Sequence, residues 1–280
     1  MKRRRVLFRL ALNIPVWALA LLILLPVLWA IIGSFKSQGD IFSNPVEIWR
    51  GAWVLKDYKT IFAQWPFARW YVNSIIVCIS VMLGALVFSA AGGFAFAKYH
   101  FHGKNVLFTV LVLSLAVPPV SIIIPLFAEI VKMHLANNLL ALIVPFLAPA
   151  FGIFLMRQFI STLPDELIEA ARVDGGGDVF IFHRVILPLC RPALGALAIV
   201  TFVFQWASFL WPLMVINSSS NFVLPLGLYA IFGASGTGGT AAQYGEMLAA
   251  ATLIAVPPLA VFVALQHTFV AGLTMGAVEK

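Results

Sequence analysis

Six long apolar stretches decide what this chain can fold into. They run over residues 14–33, 72–97, 106–131, 139–156, 193–216 and 247–271. About 20 apolar residues cross a ~30 Å hydrocarbon layer, so each stretch is long enough to span. Lipid offers no partner to an unpaired backbone group, which makes these stretches helices. Strands of a membrane barrel would alternate apolar and polar residues, and these do not. Composition agrees: 62% of the residues are hydrophobic and 10% charged, against about 25% charged in a soluble domain. With 24 Phe and 8 Trp the chain is not disordered either. The expectation is an all-α integral membrane protein, one transmembrane domain over residues 1–280 with six transmembrane helices.

The net charge of +7 does not point to nucleic acid, because the basic residues cluster at the ends of the apolar stretches, where they set topology and meet anionic lipid. The opening Met1-Lys2-Arg3-Arg4-Arg5 looks like the start of a signal peptide. The uncharged run from Leu10 to Phe35 is much longer than a signal core, and no small-x-small site follows at Ser34-Phe35-Lys36, so a retained first helix is expected. With an inside amino terminus, twelve Lys and Arg fall on the inner side and six on the outer. That bias predicts both termini in the cytoplasm. The longest polar stretches are 34–71 and 217–244 outside, the latter rich in Ser and Gly and expected to be a mobile loop, and 157–191 inside. Cys78 and Cys190 lie in or beside apolar stretches and are expected as buried free thiols.

The inner stretch is the most informative. Thr162-Leu163-Pro164-Asp165 has the spacing of a capping box and opens a helix that puts Leu163, Leu167 and Ala171 on one face. Asp174 and the glycines 175 to 177 stop it. Asp178 is placed to cap a second short helix, Val179 to Arg184, which Pro188 and Pro192 end. The result is a helical hairpin with an aromatic face, too short to be a domain, and such an exposed apolar tip suits another protein's cleft. A phosphate loop would need Lys-Ser or Lys-Thr after the glycines, where Asp178-Val179 stands. An amphipathic linker lying on the membrane is the bland alternative.

At these residues the chain resembles the importer permeases of the ATP-binding cassette class, in particular the maltose-type carbohydrate family. Glu169-Ala170-Ala171, Asp174-Gly175, Ile186-Leu187-Pro188 and Pro192 are similar to that family's EAA loop. Further anchors follow in order: Asn73-Ser74, Ala95-Phe96-Ala97 with Phe101 and Gly103-Lys104, Pro118-Pro119, and Phe151-Gly152-Ile153-Phe154. After these come Phe209-Leu210-Trp211-Pro212-Leu213, Leu224-Pro225-Leu226-Gly227, and Gly272-Leu273-Thr274 with Gly276-Ala277-Val278. Two positions depart from the family pattern. Gly176 stands where a small residue such as alanine is common, which suggests a looser turn. Trp206 is followed by Ala207-Ser208, where an Asn and an acid are frequent.

The resemblance implies a second membrane permease subunit, two cytoplasmic ATPase subunits carrying ATP and magnesium, and an extracytoplasmic solute-binding protein. It implies no cofactor and no catalysis in this chain. Glu169, Ala170, Ala171, Arg172, Asp174, Gly175 and Gly176 would form the ATPase-coupling turn, with Phe180 and Phe182 filling the ATPase cleft. Sugars, sugar alcohols and glycerol-phosphate-like solutes all fall within the class. Asn73, Ser74, Thr201, Gln205 and Ser208 are the polar residues at membrane depth, candidates for the substrate path or for interhelical hydrogen bonds. Ala85, Ser89, Gly93 and Ala97 recur every four residues and predict close helix packing. Glu129 and Glu246 are expected at outer interfaces, and the five histidines form no metal-ligand pattern. A stand-alone secondary transporter or channel is the rival class; it predicts charge pairs within the membrane or broken helices in repeated halves, and leaves the hairpin without a purpose. No paired carboxylates or nucleophile-base pair support a membrane enzyme.

Overall fold

A computed structural model describes residues 2–43, 49–234 and 244–275. The expected features at Gly276-Ala277-Val278, Lys280 and residues 235–243 lie outside them. In chain order the α-helices are α1 (Lys2–Gly33), α2 (Gln38–Ser43), α3 (Lys56–Gln64), α4 (Phe67–Lys98), α5 (Lys104–Ser114), α6 (Ile123–Lys132), α7 (Leu140–Ile143), α8 (Ala150–Ser161), α9 (Glu166–Val173), α10 (Asp178–Ile181), α11 (Leu187–Leu189), α12 (Arg191–Trp206), α13 (Leu210–Val215), α14 (Leu224–Ala234) and α15 (Tyr244–Met275). Among the described residues the β pairing is a single bridge, Lys36 to Trp53.

Among the described residues four spans are long and apolar enough to cross a membrane: Asn13–Gly33, Phe67–Lys98, Leu140–Ser161 and Tyr244–Ala264. The count rises to six if two bent pairs each form one span. The first bent pair corrects the reading of 106–131 as one helix. Lys104–Ser114 and Pro119–Lys132 meet at 101°, because Pro118, preceding Pro119, is driven to an extended ψ of 129°. In the second pair, Asp178–Leu189 and Arg191–Trp206 meet at 77°. The fifth stretch is also interrupted: α12 stops at Trp206, and the chain turns before α13. Pro212 would clash with the carbonyl four residues earlier, so the helix cannot run through. Ser208 therefore sits in the break and not on the helix face assigned to it. The outer stretch 217–244, expected as a loop, contains α14.

The chain divides into two compact units, Met1–Phe67 with Leu228–Val256 and Ala68–Gly227 with Pro257–Lys280. In the first, the span of α1 is 6% buried and offers apolar side chains all around. Beyond it Lys36 is fully buried, its ammonium donating to the Gly51 carbonyl at 3.3 Å and lying 4.1 Å from the Trp53 ring centroid. One of the six basic residues assigned from the sequence to the outer side is thus buried inside the protein. In the second unit α4 carries two cores, one built on Val77 and Val81 with Leu142, Trp211, Val215 and Leu226. The other is built on Ala90 and Phe94 with Met156, Ile160, Ile181, Ile186 and Leu197. The small-residue repeat does pack closely. A Cβ on Gly93 would come 2.5 Å from Met156 Cβ and 2.8 Å from the Arg157 nitrogen, so α4 and α8 touch backbone to backbone.

Candidate functional site

The hairpin grows out of the end of α8. Thr162 does not form the expected capping box; its hydroxyl donates back to Phe159 O at 2.7 Å, and the helix after it starts without a side-chain cap. Asp165 instead accepts from Lys98, whose ammonium also donates to the Leu163 carbonyl. The Lys98 hydrogen bond and charge hold the Asp165 carboxyl below its ordinary value. The face of α9 turned to the core is led by Ile168, with Leu163 and Ala171 beside it, while Leu167 is exposed.

Two of the three glycines are required by geometry. Gly175 has φ +83°, and its nitrogen bonds Arg172 O at 3.0 Å while that of Gly176 bonds Ala171 O at 2.8 Å. This is the Schellman closure that left-handed glycine permits at a helix end. Gly176 is not a loose point, as the departure from the family pattern suggested. A Cβ there would stand 2.7 Å from Ala171 O and 2.9 Å from Phe180 Cδ1. Asp178 does not cap α10 with its side chain; its carboxylate takes the Arg172 guanidinium at 3.0 Å. That competition explains the missed cap. Burial raises the Tyr99 hydroxyl above its ordinary pKa, and a hydrogen bond to Asp178 adds to it.

The aromatic face divides. Phe180 is 53% exposed beside Val179 at 74% and Val173 at 88%. Phe182, expected to enter a partner's cleft, instead stacks on Phe94 with centroids 5.6 Å apart and packs into the chain's own core. Between Phe182 and Ile186 the helix widens to a π turn, where Pro188 supplies no N–H to the preceding turn. The outer surface is a groove of about 570 Å³ lined by Leu167, Ala170, Ala171, Asp174, Gly175, Gly176, Gly177, Phe180, Arg184 and Val185. Small residues line its turn, and apolar residues stand exposed at its tip. Glu169 and Arg172 are exposed at the rim.

The polar residues at membrane depth separate into two groups. Asn73 is buried and its amide donates to Ser220 O and Phe222 O, both at 2.9 Å. Ser74 Oγ accepts from Leu224 N at 2.7 Å, and Trp70 Nε1 donates to Ser219 O at 2.7 Å. These residues tether the 219–224 segment. Gln205 donates to Leu142 O at 3.2 Å beside Trp211, which donates to Ala141 O at 3.0 Å. Pro145, lacking an N–H, leaves Ala141 O free for that bond. Gln205 and Thr201 lie on the wall of an otherwise apolar cavity of about 470 Å³ that includes Val81, Pro119, Phe146 and Phe204. Ser74 meets Gln205 at a second cavity of about 10 Å³. Sequence reasoning missed Lys98 and Tyr99, which stand at the mouth of the hairpin, and Asn137. The Asn137 carbonyl and side chain hold Ser218 and Asn221; the local signal was an Asn-Asn pair at a turn.

Apolar spans with an exposed helical hairpin between two of them define an integral membrane protein. The chain belongs to the family of binding-protein-dependent transport system inner membrane components, which matches residues 89–274 and so includes the whole hairpin. It is 33% identical over 264 residues to the arabinooligosaccharides transport system permease protein AraQ of Halalkalibacterium halodurans, covering 93% of each chain. It is 32% identical over 257 residues to the sn-glycerol-3-phosphate transport system permease protein UgpE of Salmonella typhi, covering 90% of each. The fold matches a chain in the crystal structure of a bacterial ABC transporter involved in the import of the acidic polysaccharide alginate. That match has a TM-score of 0.82 at 21% identity, over 95% of this chain and 98% of that one. The protein is therefore a multi-pass inner-membrane permease subunit of an ATP-binding cassette transport system, not a stand-alone transporter or channel.

Proposed function

We propose that this chain pairs with a second permease subunit to form the path for a sugar, sugar alcohol or related polar solute. An extracytoplasmic solute-binding protein delivers the solute, and two cytoplasmic ATPase subunits, which hold ATP and magnesium, drive the passage. The observation that carries the reading is the hairpin tip, where Val173, Val179 and Phe180 stand exposed around the small-residue turn of Ala170, Ala171, Gly175 and Gly176. Docked there, an ATPase subunit covers Phe180, and its closure pulls the hairpin and the helices attached to it. The hairpin and both termini face the cytoplasm, in keeping with the twelve-to-six basic bias.

Thr201 and Gln205 offer a hydroxyl and an amide to the solute from an otherwise apolar wall, with Ser74 behind Gln205. Asn73 and Ser208 act one step back, Asn73 by fixing the 219–224 segment and Ser208 in the break after α12. The relatives' names support a polyhydroxylated solute. The test is reconstitution of the permease pair with its ATPase and binding protein in vesicles, with arabinotriose and sn-glycerol-3-phosphate offered in turn. Uptake of either that needs both ATP and the binding protein supports the reading. ATP-independent uptake overturns it.

A further inference from the structure

Helix α4 is held by side chains at both of its ends. Near its start Trp70, Asn73 and Ser74 bind the backbone of residues 219–224 through four hydrogen bonds of 2.7 to 2.9 Å. At its other end Lys98 and Phe94 hold the two arms of the hairpin. Lys98, with its side chain 8% exposed, holds the Leu163 carbonyl and the Asp165 carboxylate at the entrance to α9. Phe94, one turn before Lys98, stacks on Phe182. Between the two ends run 32 unbroken residues, about 48 Å of helix at 1.5 Å per residue. Gly93 presses α4 against α8 along the way.

Apolar contacts between helices are non-directional and tolerate slippage. Charge-assisted bonds fix one register. A largely buried ammonium satisfied by one carbonyl and one carboxylate holds the entrance of α9 to the end of α4, because losing either partner leaves a costly unpaired charge.

We infer that α4 is the strut that carries displacement of the docked hairpin to the 219–224 segment at its far end, with Lys98 as the positioning residue that makes the hairpin and the helix move as one. The inference rests on the docking reading above and extends it to a named route.

The test uses the complete complex in lipid nanodiscs and needs no solute. A cysteine replaces exposed Ser219, and its reaction rate with a maleimide is measured with and without ATP; Cys78 and Cys190 are buried, and the chain without the added cysteine sets the background. In the otherwise native complex ATP shifts the rate about tenfold, within the range of coupling between distant sites. Lys98→Met keeps the ATPase subunits bound but loses the shift, and Lys98→Arg retains it. The strut is refuted by an absent shift in the native complex, by an intact shift in Lys98→Met, or by loss of the ATPase subunits in Lys98→Met, which would mean that Lys98 only shapes the hairpin. Phe180→Asp, run alongside, separates the two ideas. If it leaves ATPase association unchanged, the docking reading itself fails. If it abolishes association while Lys98→Met responds like the native complex, docking stands and the strut does not.

Discussion

Phe180 and Phe182 stand two residues apart and should fail in opposite ways. Phe180 is 53% exposed, which leaves about 100 Å² of a ring that buries 150–250 Å² when fully covered. At ~25 cal/mol/Å² a partner that covers it gains roughly 2.5 kcal/mol, about sixtyfold in affinity. Phe180→Ala should therefore weaken ATPase association by about that factor and lower the thermal stability of the permease less than Phe182→Ala does. Phe182 packs on Phe94 and among the residues of the inner core. A fully buried Phe→Ala costs about 3–5 kcal/mol, so Phe182, mostly buried, should lose about 3. Phe182→Ala should lower the melting temperature of the purified permease and leave the affinity of the fraction that stays folded near native. The assays are a binding titration with the ATPase subunit and a thermal melt in the same detergent. Equal binding by Phe180→Ala and the native chain, or equal melts for the two variants, would refute the division of the aromatic face.

Gly93→Val places a side chain against Met156 and the backbone of Arg157; overpacking of this kind costs about 1–3 kcal/mol, so the melt should fall, and an unchanged melt would show that α4 and α8 part freely. Asn137 sits at φ 60° and accepts from Asn217 N and Ser218 N at 3.1 and 2.9 Å. Its side-chain amide nitrogen also donates to Ser218 Oγ. Asn137→Ala should therefore speed hydrogen exchange across residues 217–222 and cost roughly 4 kcal/mol, about 1 for each of the three lost bonds and the rest for the left-handed backbone; native exchange there would count against the tether. Burial holds the Asp57 carboxyl above its ordinary pKa despite the Lys56 charge. A raised carboxylate favours the protonated folded state, so its stability contribution is lost as pH climbs from the ordinary carboxylate value through the folded one. Asp57→Asn should stabilise the protein at neutral pH and lose that advantage in acid; a gain independent of pH would exclude the titration.

The spans and the turn of the hairpin were legible because their signals are local. Apolar length reports burial in lipid, and Asp174-Gly175 after an amphipathic turn reports a left-handed helix end, found at φ +83°. What was hidden depends on partners far along the chain. Asn73 reads as a polar residue in a span, yet its acceptors lie 147 and 149 residues away. The capping reading of Asp178 failed because the Arg172 guanidinium, six residues away, takes its carboxylate. The two phenylalanines could have been told apart. Residues two apart on a helix differ by about 200° in direction, so a single docking face could not take both. The break at Pro118-Pro119 was written in the residues, but proline is tolerated in membrane helices, as Pro257 and Pro258 within α15 illustrate. Helix α14 was concealed by the Ser and Gly on either side of it.

The central claim is that the hairpin tip is a cytoplasmic docking surface for the ATPase. Val179 is exposed, has no role in the core, and neighbours Phe180, so a cysteine there reports directly. The measurement is its labelling by a membrane-impermeant thiol reagent from each side of oriented vesicles, with and without ATPase subunits bound. The account predicts rapid labelling from the cytoplasmic side of the permease alone, and protection once the ATPase is present. Labelling from the outer side only, or equal cytoplasmic labelling with the ATPase bound and absent, would contradict it.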